Sequence, residues 1–339
     1  MTESDGGVSV TRESDAQLPE GKPWIAVDDY AWPEGWSEPG SAEVRARRYC
    51  GQLERGEILF FDGIPFSFSE IHREFLLGQR QSGSRYHKNI SYRPSKDEVR
   101  GFSSAGVEEQ RMLQAVFRAY SLEVTRFLSR FLVPYAGHCK KELASFRPLE
   151  EEGRDLSHNK RNDLLHVDAF PTRPTRGARI LRVFTNIGRT NPRVWNTGVP
   201  FGEVAARFAG EAGLDKIASS DSGWLSGMFA GIEAMAGPSI ANLVGTAIPA
   251  IKRSAYDRFM LRFHDFLKGN AAFQANSNIK HIEFPPGSTW IVYTDAVPHA
   301  VLSGRFALEQ TYIVPVDALV EPEKSPIRTL ERLCGRSLA

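Results

Sequence analysis

The stretch 280–314, KHIEFPPGSTWIVYTDAVPHAVLSGRFALEQTYIV, decides the fold class. It contains four short segments rich in β-branched and aromatic residues, which are typical of β-strands. The segments cover 280–284, 289–294, 298–302 and 306–314. The intervening PPG, DAVP and Ser303-Gly304 favour tight turns. Short strands joined by such turns predict an antiparallel sandwich or barrel and not a doubly wound α/β fold.

A second group of strands is predicted upstream, at 143–148, 164–170 and 179–187. Apolar residues at helical spacing predict helices over 66–80 and 107–133, the second ended by Pro134. The prediction is one domain over 23–339 after a disordered tail at 1–22. Its parts are an N-terminal support of helices and a strand (41–135), a β core (143–188 and 279–316) and a long helical insertion (190–278).

Composition excludes several classes of protein. The 339 residues include 42 Lys plus Arg and 41 Asp plus Glu, so no overall positive field indicates a nucleic-acid partner. The three cysteines are an odd number without C-x-x-C spacing, which argues against a disulfide framework and favours a reducing compartment. The first residues lack the pattern of a signal peptide. We therefore expect a cytoplasmic protein.

The segment 224–251 is apolar and carries a single charge, Glu233. Gly237-Pro238 divides it into halves that are each too short to cross a membrane. A buried helical hairpin or a subunit contact is the favoured interpretation. An element that docks on a membrane surface is the alternative.

The motif LLHVDAF, residues 164–170, places a histidine and an aspartate on one face of a predicted strand. Two histidines and one carboxylate form the facial triad that suits Fe(II), because three coordination positions stay open for cosubstrate and oxygen. His166 and Asp168 would supply two ligands, and His299, at the start of a distant strand, is the best candidate for the third. A core histidine bonded to a neighbouring carboxylate is the alternative for His166.

Two other pairs have similar spacing, His281-x-Glu283 and His72-x-Glu74. Iron oxygenases place their first two ligands early in the barrel and the last histidine near its end. His281 lies too close to His299 in sequence for that layout, so we interpret it as a structural histidine.

The C-terminal stretch resembles that of the Fe(II)- and 2-oxoglutarate-dependent dioxygenases, with a Pro-Gly turn, an apolar strand and then HAVLSGRFALEQTY. The resemblance implies a double-stranded β-helix, or jelly roll, with O2 as the second cosubstrate. It also implies that Arg305 binds the distal carboxylate of 2-oxoglutarate. Arg305 follows His299 by six residues, where the family more often has nine or more, so Arg182 is the alternative anchor. Asn186 corresponds roughly to a family position that contacts the cosubstrate.

A closer resemblance links the chain to the bacterial Kdo hydroxylases, where Kdo is 3-deoxy-D-manno-oct-2-ulosonic acid. It is carried by KNISYRPSKDEVRGF (88–102), FRPLEEEGRDLSHNKRNDLLHVDAFPTRPTRGARILRVFTNI (146–187) and RVWNTGVPFGEVAARF (193–208). The run HVDAFPTRPTRG is the most specific part, and the resemblance covers most of the chain after residue 50. It implies hydroxylation of C3 of Kdo, giving Ko, in the inner core of lipopolysaccharide. The substrate would be Kdo-lipid A at the cytoplasmic face of the inner membrane, where 224–251 could rest on the lipid.

Basic residues around the proposed ligands are compatible with an anionic substrate, since ten Lys or Arg lie between Lys140 and Arg182. The candidate substrate contacts are Arg147, Arg173, Arg176, Lys88 and Asn89. For each arginine the alternative is an ordinary solvated cation. Two other functions stay open: a dioxygenase acting on a protein side chain or small molecule, and a non-catalytic jelly-roll module that binds a saccharide. The sequence does not predict an oligomeric state.

Overall fold

The computed structural model describes residues 23–28, 41–80, 89–103, 106–153, 158–219, 253–276 and 278–339. The strands of these residues are β1 (Ile25–Ala26), β2 (Leu59–Phe61), β3 (Ile90–Arg93), β4 (Glu98–Arg100), β5 (Lys140–Arg147), β6 (Arg179–Asn186), β7 (Arg193–Thr197), β8 (Lys280–Phe284), β9 (Thr289–Tyr293), β10 (His299–Ser303) and β11 (Ala307–Val314). The helices are α1 (Ser41–Glu54), α2 (Glu70–Leu77), α3 (Val107–Phe131), α4 (Phe201–Phe208), α5 (Leu214–Ser219), α6 (Ala255–Gly269), α7 (Ala271–Asn276) and α8 (Pro326–Cys334).

The described strands form two sheets. The larger has the order β1-β2-β9-β6-β11-β5-β3-β4, and the smaller has the order β10-β7-β8. Strand β11 lies inside the larger sheet, where Ala307 is opposite both Arg147 of β5 and Asn186 of β6. All pairings except β1 with β2 are antiparallel, as the short strands and tight turns predict.

The two sheets face each other across an aromatic core. Trp290 of β9 stacks on Phe284 of β8 with ring centroids 3.9 Å apart, and Trp195 of β7 meets Trp290 edge to face. The other face of the larger sheet packs on the helices through a second and larger cluster that includes Leu181 and Val183 of β6. Side chains of β6 therefore alternate between the two cores, as strand geometry requires.

Local sequence explains why the long helices begin and end where they do. α3 has Glu108 and Glu109 in its first turn, which suits the positive end of the helix dipole, and it ends just before Pro134. α6 begins with a capping box in which Ser254 and Asp257 bond each other's backbone amides. This cap fixes the start of the helix that later contacts the candidate site.

The predicted helices and the four C-terminal strands are confirmed to within a few residues. The predicted strand 164–170 is instead irregular, with a single bridge from His166 to His299. The insertion is not purely helical, because β7 lies in 190–278 and completes the smaller sheet. The tail 1–22 and the apolar segment 224–251 lie outside the described residues, and α8 was not predicted.

The turn between β10 and β11 depends on Gly304. Its φ is +107°, and a Cβ there would lie 2.8 Å from the carbonyl oxygen of Pro192. Only glycine fits this conformation and this close approach without strain. The turn carries the chain from β10 of the smaller sheet to β11 of the larger sheet.

Candidate metal centre

The candidate ligands are brought together by backbone pairing between two distant parts of the chain. The His166 N–H donates to the His299 carbonyl at 3.1 Å, and the His299 N–H donates to the His166 carbonyl at 2.9 Å. The Asp168 N–H donates to the Thr294 carbonyl at 2.8 Å. The structure thus brings together the three residues that the sequence singled out.

Each histidine has one ring nitrogen tied to the backbone. Nδ1 of His166 lies 2.7 Å from the Leu164 carbonyl, and Nδ1 of His299 lies 2.9 Å from the Val297 carbonyl. A carbonyl can only accept, so Nδ1 carries the proton and donates in both rings. Nε2 is then left with its lone pair, which is the arrangement in which metal-binding histidines are usually held.

The distances fit a metal ion. One ligand atom from each of His166, Asp168 and His299 lies within 4.8 Å of the other two, and His166 Nε2 is 3.9 Å from an Asp168 oxygen. The oxygen that faces His166 is Oδ1, and the second oxygen, Oδ2, is buried 3.0 Å from the Arg182 guanidinium. Two imidazole lone pairs and a carboxylate oxygen are the donor set that a facial Fe(II) site needs.

Protonation states in this cluster also suit a divalent cation. Burial lowers the pKa of His166 and of His299, so both rings are neutral near pH 7. Burial alone would raise the pKa of Asp168, but the Arg182 guanidinium, together with His299, His166 and a hydrogen bond from Thr294, outweighs it and holds that pKa well below its usual range. The site therefore offers neutral imidazoles and an ionised carboxylate without prior loss of protons.

Rings enclose the two histidines. Trp195 of β7 stacks on His299 with centroids 5.2 Å apart, and His264 of α6 meets His166 edge to face at 4.8 Å. Both candidate ligands are 5% exposed. This packing fixes their orientation and limits the access of water.

A buried chain of charges extends inward from the cluster. Arg182 of β6 lies 3.0 Å from Asp168 and 2.7 Å from Glu309 of β11, and Arg147 of β5 lies 2.8 Å from the other oxygen of Glu309. These side chains project toward the smaller sheet from neighbouring strands. The two guanidiniums offset the effect of burial and hold the pKa of Glu309 below its usual value.

Arg305 does not join the cluster as the resemblance implied. It lies on the exposed turn before β11, where its guanidinium donates to the Pro148 carbonyl at 3.0 Å and stacks over Phe306. The short spacing from His299 places it in the turn and outside the space between the sheets. Arg182, the alternative in the sequence, is the arginine that touches a candidate ligand.

Asn186 is also placed differently from the expectation. Its amide donates to the carbonyls of Asn191 and Phe284, and its side-chain oxygen accepts from the Gly188 N–H. The side chain is fully buried and serves to hold the turn after β6. The contact with the cosubstrate that the resemblance implied stays a prediction.

The candidate substrate contacts fall in different surroundings. Arg147 is buried in the charge chain, whereas Arg173 is 35% exposed, bonds Glu142 at 2.8 Å and lies over the Phe170 ring. Arg176 is exposed and Asn89 is partly buried. Lys88 lies outside the described residues.

The rival pairs do not form sites. His281 and Glu283 of β8 are both more than half exposed, and His281 Nδ1 lies 3.1 Å from the Asn196 side-chain oxygen. The structure thus leaves His281 as a surface residue of the smaller sheet. Glu74 binds Arg189 on the surface of α2.

Comparison with known proteins agrees with this geometry. The family model described as 3-deoxy-D-manno-oct-2-ulosonic acid (Kdo) hydroxylase matches residues 36–337. The chain belongs to the Kdo hydroxylase family. It is therefore related to an enzyme family and not to a non-catalytic saccharide-binding module. A search of curated proteins finds no match.

Solved structures of one member are similar over nearly the whole chain. The Kdo hydroxylase KdoO, a non-heme Fe(II) alpha-ketoglutarate dependent dioxygenase in complex with alpha-ketoglutarate and Fe(III), is 33% identical, with a TM-score of 0.74. The match covers 94% of this chain and 98% of that one. The cobalt(II) complex gives 33% identity and a TM-score of 0.75, with 94% and 97% covered. This Kdo hydroxylase family member is thus an Fe(II)/2-oxoglutarate dioxygenase by relationship.

Some residues of the site were missed by sequence reasoning. Glu309 stands at an inward position of an apolar strand, and that alternation was a signal for it. His264 and Lys268 lie one turn apart on α6, and burial lowers the pKa of the Lys268 amine while Asp168 opposes the shift. Nothing in the sequence of α6 indicated that it faces the ligands. In the described part of the chain, no helix has both the length and the apolarity to cross a bilayer.

Proposed function

We propose that His166, Asp168 and His299 hold Fe(II) and that the centre hydroxylates C3 of Kdo in Kdo-lipid A, giving Ko. The observation that carries this proposal is the triad, in which two Nε2 lone pairs and one carboxylate converge within 4.8 Å. Family membership and the KdoO complexes with Fe(III), alpha-ketoglutarate and succinate support it. Fe(II) with 2-oxoglutarate would supply the activation of O2 that hydroxylation requires.

The two facing sheets support a double-stranded β-helix. β9, β6, β11 and β5 lie side by side in the larger sheet, and the smaller sheet is extended by the bridge between segment 164–168 and β10. Two four-membered layers would then enclose the centre. The support, core and insertion proposed for 23–339 are parts of one domain in this interpretation.

Arg182 is the residue we assign to the distal carboxylate of 2-oxoglutarate. Its guanidinium is 12% exposed, with Nη1 bound to Glu309 and Nη2 to Asp168, and a charged donor is a strong partner for a carboxylate. Its Nε is buried without a hydrogen-bond partner in the structure. An interior guanidinium with a donor still available suits a carboxylate ligand better than the exposed Arg305.

The remaining side chains would position substrate and exclude water. Phe170 lies next to Arg182, with the guanidinium carbon 5.7 Å from the ring centroid, and Trp195 covers His299. Arg173, partly exposed and stacked on Phe170, is placed to bind an anionic group of the substrate. Arg147, Arg176, Asn89 and Lys88 remain candidates for such contacts.

A lipid-linked substrate would place the enzyme at the cytoplasmic face of the inner membrane. The apolar composition of 224–251 supports a peripheral contact there. Cytoplasmic location is part of the same proposal.

The test begins with anaerobic addition of Fe(II) and 2-oxoglutarate to the apoprotein. Chelated cosubstrate should give a weak visible charge-transfer band that is absent in His166→Ala. Kdo-lipid A and free Kdo are then compared under air, with product mass and succinate formation as readouts. Gain of one oxygen by Kdo-lipid A, coupled to succinate, supports the proposal. A band without oxygen transfer to any Kdo compound would overturn the substrate assignment.

A further inference from the structure

On the side away from β10, the edge of the ligand segment 164–168 is not paired with another strand of the described residues. His166 turns its N–H and its carbonyl to His299, so the backbone groups of Leu165 and Val167 point the opposite way. Buried backbone groups need partners, and an unpaired strand edge is usually covered. Among the described residues, no further strand pairs with this edge.

Gln274 of α7 takes the place of the missing strand at Leu165. The Leu165 N–H donates to Gln274 Oε1 at 3.0 Å, and Gln274 Nε2 donates to the Leu165 carbonyl at 2.9 Å. A carboxamide has the same donor and acceptor as a peptide group, so this pair reproduces a rung of an antiparallel sheet. Gln274 Nε2 also donates to the Leu267 carbonyl at 2.8 Å, which fixes the amide against the end of α6.

His264 of α6 satisfies the next backbone group along the edge. Its Nδ1 lies 2.7 Å from the Val167 carbonyl and donates to it, and its ring meets that of His166 edge to face. Val167 is the residue between the two proposed ligands of this segment. The segment 253–276, which contains α6 and α7 and is called the arm below, thus bonds the backbone on both sides of His166.

The same arm continues along the chain beyond the ligands. Arg253, just before α6, donates to the Pro171 carbonyl at 2.6 Å, and Asp257 accepts from the Thr175 and Arg176 amides at 2.8 and 3.0 Å. Residues 165–176 therefore run beside 253–274 and are bonded to it at intervals. The contact is a continuous seam and not a single accidental bond.

We propose that the arm 253–276 acts as a surrogate strand for the metal-binding segment, with Gln274 and His264 as positioning residues that set the placement of His166 and Asp168. The inference rests on the proposed triad. Metal sites depend on ligands held in place by outer hydrogen bonds, and loss of such bonds typically costs about 10- to 100-fold in metal affinity. Here those bonds act on the ligand backbone and come from outside the sheet.

The test compares Gln274→Ala and Gln274→Glu with the wild-type protein and with Gln79→Ala as a matched control. Gln274 is partly buried and Gln79 is buried, and the Gln79 side chain also bonds a helix carbonyl, but it lies at the end of α2 and bonds Phe75 and Glu109. Co(II) serves as the probe, because the related KdoO binds it. Affinity is measured by titration of the Co(II) absorption bands in the absence of cosubstrate.

Gln274→Ala should lower the Co(II) affinity by about tenfold or more, and Gln79→Ala should leave it within twofold. Gln274→Glu should also weaken binding, because a carboxylate cannot donate to the Leu165 carbonyl. Unchanged affinity in folded Gln274→Ala would overturn the proposal. Equal losses in Gln274→Ala and Gln79→Ala would do so too, since the effect would then be one of general stability.

Amide hydrogen exchange of the wild-type apoprotein gives a second test, which needs no substitution and is therefore unaffected by a folding defect of a variant. The Leu165 amide should be protected without metal, because its acceptor is Gln274 and not a group that depends on the ion. Rapid exchange there would overturn the surrogate strand even if Co(II) binds. If the wild-type protein does not bind Co(II) but the Leu165 amide is protected, the proposed metal site is wrong and the hydrogen bonds between 165–176 and 253–274 are still supported.

Discussion

His166 and His299 are opposite each other in a mutual backbone pair, with N–H to carbonyl distances of 3.1 and 2.9 Å. Residues that are directly opposite in an antiparallel pair project their side chains to the same face. Their ring centroids are consequently only 4.7 Å apart, although 132 residues separate them in the chain. The metal centre is therefore a consequence of strand register, and Asp168, two residues on, shares the face.

Replacement of Asp168 by Ala should abolish turnover and Co(II) binding while the fold is kept. The variant removes one of three proposed ligands, and Arg182 retains Glu309 as its partner. Far-UV circular dichroism, Co(II) titration and coupled succinate formation are the measurements. Asp163→Ala is the control, because Asp163 is an exposed carboxylate that binds Arg161. Iron-dependent hydroxylation by Asp168→Ala would contradict the triad.

Arg182→Ala should raise the KM for 2-oxoglutarate by about tenfold or more, since charge-assisted hydrogen bonds contribute about 1.5–3 kcal/mol. Arg305→Ala should leave that KM nearly unchanged, because its guanidinium is exposed and bonds Pro148. Initial rates at varied 2-oxoglutarate decide between them. The Co(II) affinity of Arg182→Ala, measured without cosubstrate, shows how much of the rise in KM arises because Asp168 has lost its ion pair with Arg182. A larger rise in the KM for 2-oxoglutarate in Arg305→Ala than in Arg182→Ala would mean that Arg305 binds the distal carboxylate.

Glu309→Gln should lower the free energy of unfolding of the apoprotein by about 3 kcal/mol at pH 7, because it leaves two buried guanidiniums without their shared carboxylate. The pKa of Glu309 is lowered in the fold, chiefly because Arg182 and Arg147 outweigh its burial. Its contribution is thus complete above the unfolded pKa of about 4.3 and is lost as pH falls through the lower folded value.

Urea unfolding of wild type and Glu309→Gln from pH 8 to pH 3 tests this pH dependence of the free energy of unfolding. The difference between the two proteins should be constant down to about pH 5 and shrink below about pH 4. A difference that grows on acidification would mean that the carboxylate is destabilising in the fold.

Asn186→Ala should destabilise the protein by about 1–3 kcal/mol and leave the KM for 2-oxoglutarate unchanged. The substitution leaves buried carbonyls of Asn191 and Phe284 and the Gly188 N–H without their partner. Thermal unfolding and steady-state kinetics measure the two effects separately. A large rise in KM at unchanged stability would restore the cosubstrate contact inferred from resemblance.

Prediction from sequence succeeded where local patterns carry the information. The strands after Lys280 alternate with proline and glycine turns, and α3 has a clear apolar stripe and a proline stop. The surroundings of Arg305 and Asn186 were not anticipated, because contacts with the neighbouring turns place these side chains. β7 lies in the segment predicted as a helical insertion, because a five-residue strand between loops has too short a pattern to recognise.

The surroundings of the ligands could not be predicted at all. Gln274 and His264 reach Leu165 and Val167 across about a hundred residues of chain, and an amphipathic helix does not reveal which segment its face covers. Glu309 pairs with Arg182 and Arg147 only because β11 lies between β6 and β5.

The sequence by itself determined the chemistry of this protein: two imidazoles and a carboxylate on strand-like segments, a family motif around them, and the alternation that makes two facing sheets. The tertiary structure alone decided which arginine reaches the ligands, which polar groups support turns, and how the irregular ligand segment is held. The reason is physical. Residue type and period fix the donors and the face of each element, whereas contacts between elements depend on register and packing that no local pattern encodes.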